Sequence, residues 1–236
     1  MEGFNQTNKF SNKLQIKVCG LTRVDEAIEC AELGANAIGL VFYPESPRFI
    51  NKQLAKEICR AVPKKIQMVG VFVDETFSNI MHTVEYCGIN CVQLHGKEPP
   101  DLVKRLVKKK IIVIKALFSG RKPHIDEAAN YGASAFLAEC GKGVLPGGNA
   151  EIWNWNESRR VSKTFPLILA GGLSSENVTE AIRAGLPDAV DVSSGVELSP
   201  GRKNLNKVAA FIKEVSGCSI QKTVRKIFKD RMQDPE

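Results

Sequence analysis

The hydrophobic positions of this chain fall into short runs that recur at regular intervals. Eight runs rich in Val, Ile, Leu and Phe show little polar alternation, which is typical of strands covered on both faces. They cover residues 14–19, 37–43, 68–73, 91–95, 111–118, 134–139, 166–170 and 189–194. Between them lie stretches with helical periodicity, and we expect helices at 23–34, 51–62, 78–88, 99–109 and 174–185.

Local signals mark the ends of several of these predicted helices. Gly34, Gly88 and Gly185 fall where a left-handed C-cap residue is common. The sequence SSEN at 174–177 offers a serine N-cap with an acidic residue in the first turn. We therefore expect the last of these helices to begin at this serine pair.

The alternation of eight strands with helices predicts an α/β fold, namely a parallel (β/α)8 TIM barrel. An open doubly wound sheet is the competing arrangement, but it usually carries a GxGxxG turn, and none follows the first strand. The glycine-rich segment 141–149 lacks the Lys-Ser/Thr ending of a phosphate P-loop. Because no linker or repeat interrupts the alternation, we expect one barrel domain over residues 1–236.

The segment 217–236 follows the eighth predicted βα unit. Its apolar residues Ile220, Val224, Ile227 and Phe228 have helical spacing. This spacing predicts an extra C-terminal amphipathic helix. We expect it to dock on the barrel or on another subunit rather than on a membrane.

The amino-acid composition and net charge of the chain limit the kinds of partner that it can bind. The 236 residues are 43% hydrophobic and 25% charged, as in ordinary soluble proteins, and the net charge is +7. A positive charge favours an anionic partner, but aromatics make up only 7% and do not interleave with basic residues, which argues against nucleic acid. The residues at 1–13 are polar and no run could span a bilayer, so we expect neither a secretory signal nor membrane association.

The cysteines and histidines predict a reduced, metal-free protein. Seven cysteines without a CxxC pair indicate free thiols in the cytoplasm. His82, His95 and His124 have no metal-ligand spacing with each other or with a cysteine. We expect no metal and a monomer or homodimer.

The barrel rule places the candidate chemistry at the C-terminal ends of the strands. Cys19 ends the first predicted strand, Arg48 follows the second and Glu139 ends the sixth. Asp74 follows the third strand and His95 ends the fourth. These side chains would face one mouth.

The endings of strands 7 and 8 predict a phosphate site. Gly171 and Gly172 would let backbone amides approach an anion, and Ser193 and Ser194 would add donors from the facing loop. Barrels commonly bind phosphate in these two loops. The alternative is that the glycines only form tight turns.

Together these segments resemble the phosphoribosylanthranilate isomerase family of tryptophan biosynthesis from about residue 15 to 213. The motifs that carry the resemblance occur in the family's order: KVCGLTR, GLVFYPESPRFI, VGVFVD, VQLHG, LAGGLSSENV and VDVSSGVELSPGRKN. The resemblance implies an Amadori rearrangement of a sugar phosphate without metal or organic cofactor. It implies that Cys19 is the general base, that Arg48 holds the anthranilate carboxylate through a bidentate contact, and that Asp191 contacts the substrate.

One position departs from the family pattern. The family's general acid is an aspartate at the end of strand 6, where this chain has Glu139, and the third glycine of the following loop is Ala150. A displacement of about 1 Å in such a group can cost on the order of 100-fold in rate. A compensating loop shift, reduced activity and a different sugar-phosphate substrate all remain open.

The same residues also allow three alternative hypotheses about function. The chain could be an impaired barrel that binds a phosphate metabolite, or a nucleic-acid binder that uses its basic tail. It could also be another phosphate-binding barrel, such as a histidine-pathway isomerase or indole-glycerol-phosphate synthase. The histidine-pathway isomerase usually carries an aspartate where this chain has Cys19, and indole-glycerol-phosphate synthase needs a catalytic lysine near the front in a different sequence setting. We therefore expect a working isomerase.

Overall fold

A computed structural model describes residues 13–142 and 152–229 of the chain. Eight parallel strands form a closed barrel in chain order, and the eighth strand pairs with the first. The barrel strands are β1 (Gln15–Cys19), β2 (Ala37–Val41), β3 (Gln67–Phe72), β4 (Cys91–Leu94), β5 (Ile112–Phe118), β6 (Ala135–Glu139), β7 (Leu167–Leu169) and β8 (Ala189–Val192). Each one lies within a run predicted from the sequence to within one residue, so the predicted TIM barrel is confirmed.

Helices and one small ribbon surround this barrel. The helices are α1 (Val24–Leu33), α2 (Lys52–Ala61), α3 (Phe77–Cys87), α4 (Pro100–Lys108), α5 (Arg159–Thr164), α6 (Val178–Gly185) and α7 (Leu205–Gly217). Short 3-10 helices occupy Ile125–Asn130, Trp155–Ser158 and Ser194–Val196. After β8, the strands β9 (Glu197–Ser199) and β10 (Arg202–Lys203) pair antiparallel above the barrel mouth.

The start of α6 differs from the prediction. The helix begins at Val178 rather than at the serine pair, and its N-cap is Asn177. The side chain of Asn177 holds residues before the helix in a turn, because its Oδ1 accepts from Ser174 N at 2.8 Å and its Nδ2 donates to Gly172 O at 2.8 Å. The turn therefore takes the residues that would have formed the first turn of the helix.

The predicted glycine caps are correct at two of three positions. Gly34 and Gly88 end α1 and α3 in the left-handed region, with φ of 116° and 72°. At the end of α6 the left-handed residue is Leu186, whereas Gly185 is helical. A Cβ at Gly185 would lie 2.7 Å from Ser158 Oγ, so this glycine serves close packing instead.

The strands are buried on both faces, as their lack of polar alternation predicted. Outward-facing residues such as Ile38, Leu40 and Phe136 pack against the helices. Inward-facing residues such as Val69, Ile114 and Leu137 form a second cluster inside the barrel. These side chains pack the interior of the barrel beneath its mouth. The polar groups at the strand ends are therefore supported by a closely packed core.

The C-terminal tail docks on the barrel, but the helix predicted over 217–236 is absent from residues 218–229. Ile227 and Phe228 instead join the cluster inside the barrel. Gln15 Oε1 accepts from Ile227 N at 2.7 Å and from Phe228 N at 2.9 Å, and Asp188 Oδ1 accepts from Arg225 N at 2.9 Å. These side-chain contacts take backbone N–H groups that a helix would use. Residues 230–236 lie outside the described range.

Candidate active site

Cys19 is the last residue of β1 and faces the barrel interior. Its side chain is buried beside Val41 and Val71. A Cβ at Gly39 on the neighbouring strand would lie 2.6 Å from the Cys19 sulfur, so the glycine makes room for the thiol. Burial in these surroundings raises the pKa of the Cys19 thiol, although the charge of Lys17 opposes the rise.

Lys17 lies two residues earlier on the same face of β1 and is fully buried. Its Nζ pairs with Asp191 Oδ1 at 2.8 Å, and its charge also acts on the thiol of Cys19. Burial alone would lower the pKa of Lys17, but the charges of Asp191 and Cys19 raise it above its usual value. The lysine is therefore a fixed cation beside the thiol.

Asp191, on β8, connects the two sides of the mouth. Burial raises the pKa of this carboxyl group, while Lys17 and His95 lower it and the charge of Glu139 raises it further. The pKa of Asp191 therefore depends on Lys17 on one side and on both His95 and Glu139 on the other. Sequence reasoning named Asp191 from the family motif and did not foresee its pairing with Lys17.

Glu139 ends β6 and is buried at the same mouth. Its Oε2 lies 3.5 Å from His95 Nε2, and Gln93 Nε2 lies 2.8 Å from His95 Nδ1. Among the described residues, His95 Nε2 has no hydrogen-bond partner despite its burial. Donation by Gln93 to Nδ1 leaves the ring proton on Nε2, which then faces the Glu139 carboxyl group.

Arg48 is placed at the mouth but is already paired. Its Nε and Nη2 contact the two carboxylate oxygens of Glu197 at 2.9 and 2.8 Å, and both side chains are buried. Burial would raise the pKa of Glu197, but hydrogen bonds from Arg48 and the charge of Lys203 lower it. This bidentate fork, predicted for a substrate carboxylate, belongs to Glu197, which sequence reasoning did not single out.

The loops after β7 and β8 come together as the phosphate prediction requires. Gly171 and Gly172 both have positive φ, 88° and 66°. A Cβ at Gly195 would overlap the carbonyl oxygen of Leu173, so the two loops touch. No hydrogen bond between described residues uses the backbone N–H of Gly172 or Gly195. The loops thus present donors that can bind an anion.

The two serines of the β8 loop differ in their roles. Ser193 Oγ donates to the carbonyl oxygen of Cys19 at 3.0 Å, which ties the loop to the end of β1. Ser194 begins the 3-10 helix, and its backbone N–H is likewise unused by the described residues. The Ser193 hydroxyl is therefore engaged within the protein, whereas no hydrogen bond between described residues uses that of Ser194.

The sequence model of the N-(5'-phosphoribosyl)anthranilate (PRA) isomerase family matches residues 16–214. The chain belongs to this family. A family member from Desulfatibacillum aliphaticivorans is 53% identical over 215 residues, which cover 91% of this chain and 99% of the relative. This membership confirms the enzyme class, an isomerase of tryptophan biosynthesis, that the motifs predicted.

Solved structures of family members have the same fold. Phosphoribosyl anthranilate isomerase from Thermotoga maritima matches with a TM-score of 0.80 and 37% identity, covering 87% of this chain and 100% of that chain. A phosphoribosyl anthranilate isomerase in complex with reduced 1-(o-carboxyphenylamino)-1-deoxyribulose 5-phosphate matches with a TM-score of 0.76 and 36% identity, at the same coverage. Within the described part of this chain, no helix is long and apolar enough to cross a bilayer.

Proposed function

We propose that Cys19 and Glu139 carry out the reaction of this isomerase family, the Amadori rearrangement of N-(5'-phosphoribosyl)anthranilate to 1-(2-carboxyphenylamino)-1-deoxyribulose 5-phosphate. The observation that carries the assignment is that Cys19 and Glu139 are buried at the C-terminal ends of β1 and β6, with Lys17 pairing to Asp191 at 2.8 Å on one side and His95 3.5 Å from Glu139 on the other. A base and an acid on opposite sides of one mouth suit a proton transfer across a bound sugar.

In this mechanism Glu139 acts first as the general acid. Its proton passes to the ring oxygen of the ribose, and the C1′–O bond breaks to give a protonated Schiff base. The Cys19 thiolate then removes the proton from C2′, and the electron pair of that C–H bond forms the enolamine. Tautomerisation of the enolamine gives the ketone. His95 faces the Glu139 carboxyl group and restricts its orientation.

The remaining site residues bind the substrate in this proposal. The Arg48 fork is held by Glu197, so the anthranilate carboxylate is left with the Nη1 edge of Arg48. The second oxygen of Asp191 accepts from the substrate amine. Gly171, Gly172, Ser193 and Ser194 surround the sugar phosphate with backbone and hydroxyl groups. Because these groups bind a small anion, we propose neither a nucleic-acid nor a membrane partner.

The cysteines and the site also bear on the cellular location and the oligomeric state that we propose. All seven cysteines are free thiols, including the half-buried Cys218, which supports a reducing cytoplasm. We propose a monomer or homodimer, because the site is built from strands of a single barrel and needs no residue from a second subunit.

Growth of a tryptophan auxotroph lacking this step tests the proposal, together with turnover of phosphoribosylanthranilate by the purified chain. We expect rescue by the wild type and by Glu139→Asp, and loss of rescue by Cys19→Ala and Glu139→Gln. Loss of a general acid typically costs about 100-fold or more in kcat. Full activity of Glu139→Gln would remove this residue as the acid. Binding of the reduced product without turnover by the wild type would favour the impaired phosphate-metabolite barrel.

A further inference from the structure

Lys17 is a buried cation that the proposed acid–base steps do not use. Its side chain is completely enclosed by the barrel, although lysine is almost never fully buried without a partner. The ammonium group lies 2.8 Å from Asp191 Oδ1, and Cys19 follows two residues later on the same face of β1. Lys17 thus places a positive charge near both a carboxylate and the proposed base.

The surroundings of Cys19 explain why such a cation matters. The thiol lies against Gly39, Val41 and Val71, an apolar wall that favours the neutral thiol over the charged thiolate. A thiol removes a proton from carbon only as the thiolate. The site therefore needs a compensating positive charge close to the sulfur.

The charged groups that face this sulfur come from three strands. Lys17 on β1 and Lys203 on β10 favour the thiolate, and Asp191 on β8 opposes it. Lys203 is bound to Glu197 Oε1 at 2.8 Å and to the carbonyl oxygen of Ser193 at 3.2 Å. Lys17 is the cation whose charge opposes the effect of burial on the thiol most strongly, and it lies two residues before Cys19 on the same face of β1. His95 and Glu139 lie beyond Asp191 and act on the charge of this carboxylate.

We propose that Lys17 is a positioning residue whose charge favours the Cys19 thiolate against the burial that opposes it, with Asp191 holding its ammonium group in place. The proposal rests on the role of Cys19 as the base. Lys17 keeps its proton throughout. When the sulfur takes the C2′ proton, the negative charge near Lys17 is neutralised, and proton return restores that charge.

Titration of the Cys19 thiolate tests this role directly. The ultraviolet absorbance of the thiolate is followed against pH in the wild type, Lys17→Gln and Lys17→Met, each corrected with its Cys19→Ser counterpart to remove the other cysteines. We expect the Cys19 midpoint to rise by about one pH unit or more in both variants, which means about tenfold less thiolate at a given pH on the acid side. The acid limb of kcat shifts with it, while the Kd for inorganic phosphate stays unchanged.

Lys115→Met is the matched control. Lys115 is also fully buried and pairs with Glu98 at 2.8 Å, but neither residue acts on Cys19. Its replacement removes a buried lysine from an ion pair and leaves the Cys19 midpoint in place. Lys17→Gln can still hydrogen-bond to Asp191, so it keeps the experiment usable if Lys17→Met does not fold.

Asp191→Asn supplies a change of the opposite sign. Removing this carboxylate leaves the Lys17 charge to the sulfur, so the Cys19 midpoint falls, whereas Lys17→Gln raises it. Damage that exposed the thiol to water would lower the midpoint in both variants, so the opposite signs identify the charge effect. An unchanged midpoint in Lys17→Gln, or a raised one in Asp191→Asn, overturns the proposal. These outcomes are separable from the role of Cys19 itself, since full turnover by Cys19→Ser refutes that role whatever the titration shows.

Discussion

At the scale of single residues, the mouth of the barrel is held together by ion pairs between distant parts of the chain. Arg48 and Glu197 are 149 residues apart, and Lys17 and Asp191 are 174 apart. Each pair is buried, so the loss of one partner leaves an uncompensated charge. We therefore expect each pair to contribute both to stability and to the position of the groups that we propose to bind substrate.

Arg48→Ala is expected to lower the free energy of unfolding by about 3 kcal/mol, at the low end for a broken buried pair because Lys203 still neutralises Glu197. It is also expected to raise KM, since the substrate carboxylate loses its cation. Urea unfolding and steady-state kinetics measure the two effects.

The double variant Arg48→Ala/Glu197→Gln tests the substrate contact without the Glu197 charge. Lys203 then loses its carboxylate partner, so we expect no recovery of stability, and KM stays high because the Arg48 cation is still absent. Arg160→Ala is the control, because this exposed arginine pairs with Asp126 at the surface and is expected to cost less than about 1 kcal/mol. Recovery of a normal KM in the double variant would refute the substrate contact.

The motif that contains Cys19 also contains Lys17, yet the sequence indicated a role only for the cysteine. A motif shows which residue types stand together along the chain. It does not show that Lys17 reaches a carboxylate on the last strand, because that contact depends on closure of the barrel. Glu197 was missed for the same reason.

At the scale of elements, the strands were predictable because each is an apolar run covered on both faces. The turn before α6 was not, because Asn177 competes with the helix through hydrogen bonds to Ser174 N and Gly172 O. The same turn shapes the β7 loop. The interruption of the helix thus belongs to the proposed phosphate site.

Gly195→Ala tests the contact between the β7 and β8 loops. The new methyl group would overlap the Leu173 carbonyl oxygen and push the two loops apart. We expect KM and the Kd for the reduced product to rise by about tenfold, the effect of losing roughly 1.4 kcal/mol of binding, with a smaller change in kcat.

Gly217→Ala is the matched control for this loop variant. No atom lies within 4 Å of a Cβ at Gly217, which ends α7 far from the mouth. We expect it to leave KM and kcat unchanged. Binding of the reduced product by Gly195→Ala with wild-type affinity would contradict the assignment of these loops to the phosphate.

At the scale of the whole molecule, the C-terminal tail covers the end of the barrel opposite the mouth. The tail was predicted to dock, and it does, but its apolar spacing does not make it a helix. Ile220 and Val224 pack on the outer cluster while Ile227 and Phe228 enter the inner one. The deciding contact joins Gln15 to Phe228 across 213 residues, and no local pattern reveals it.

This arrangement makes the tail a stability element that is separate from the chemistry. Phe228 packs among inward-facing side chains beside Gln15, at the opposite end of the strands from Cys19. Phe228→Ala is expected to cost about 4 kcal/mol, as for other buried Phe→Ala changes. For a domain of this size that corresponds to a fall in Tm of about 10 °C. Because the mouth is untouched, kcat at a temperature well below Tm stays at the wild-type value.

Thr223→Ala is the control, since Thr223 is exposed within the same tail segment. Thermal unfolding of both variants, with kcat measured in parallel, decides the point. Equal Tm values for the two variants would show that Phe228 does not pack into the end of the barrel in solution. A lowered kcat in Phe228→Ala at full folding would show that the tail and the mouth are coupled through the packed interior, contrary to the separation argued above.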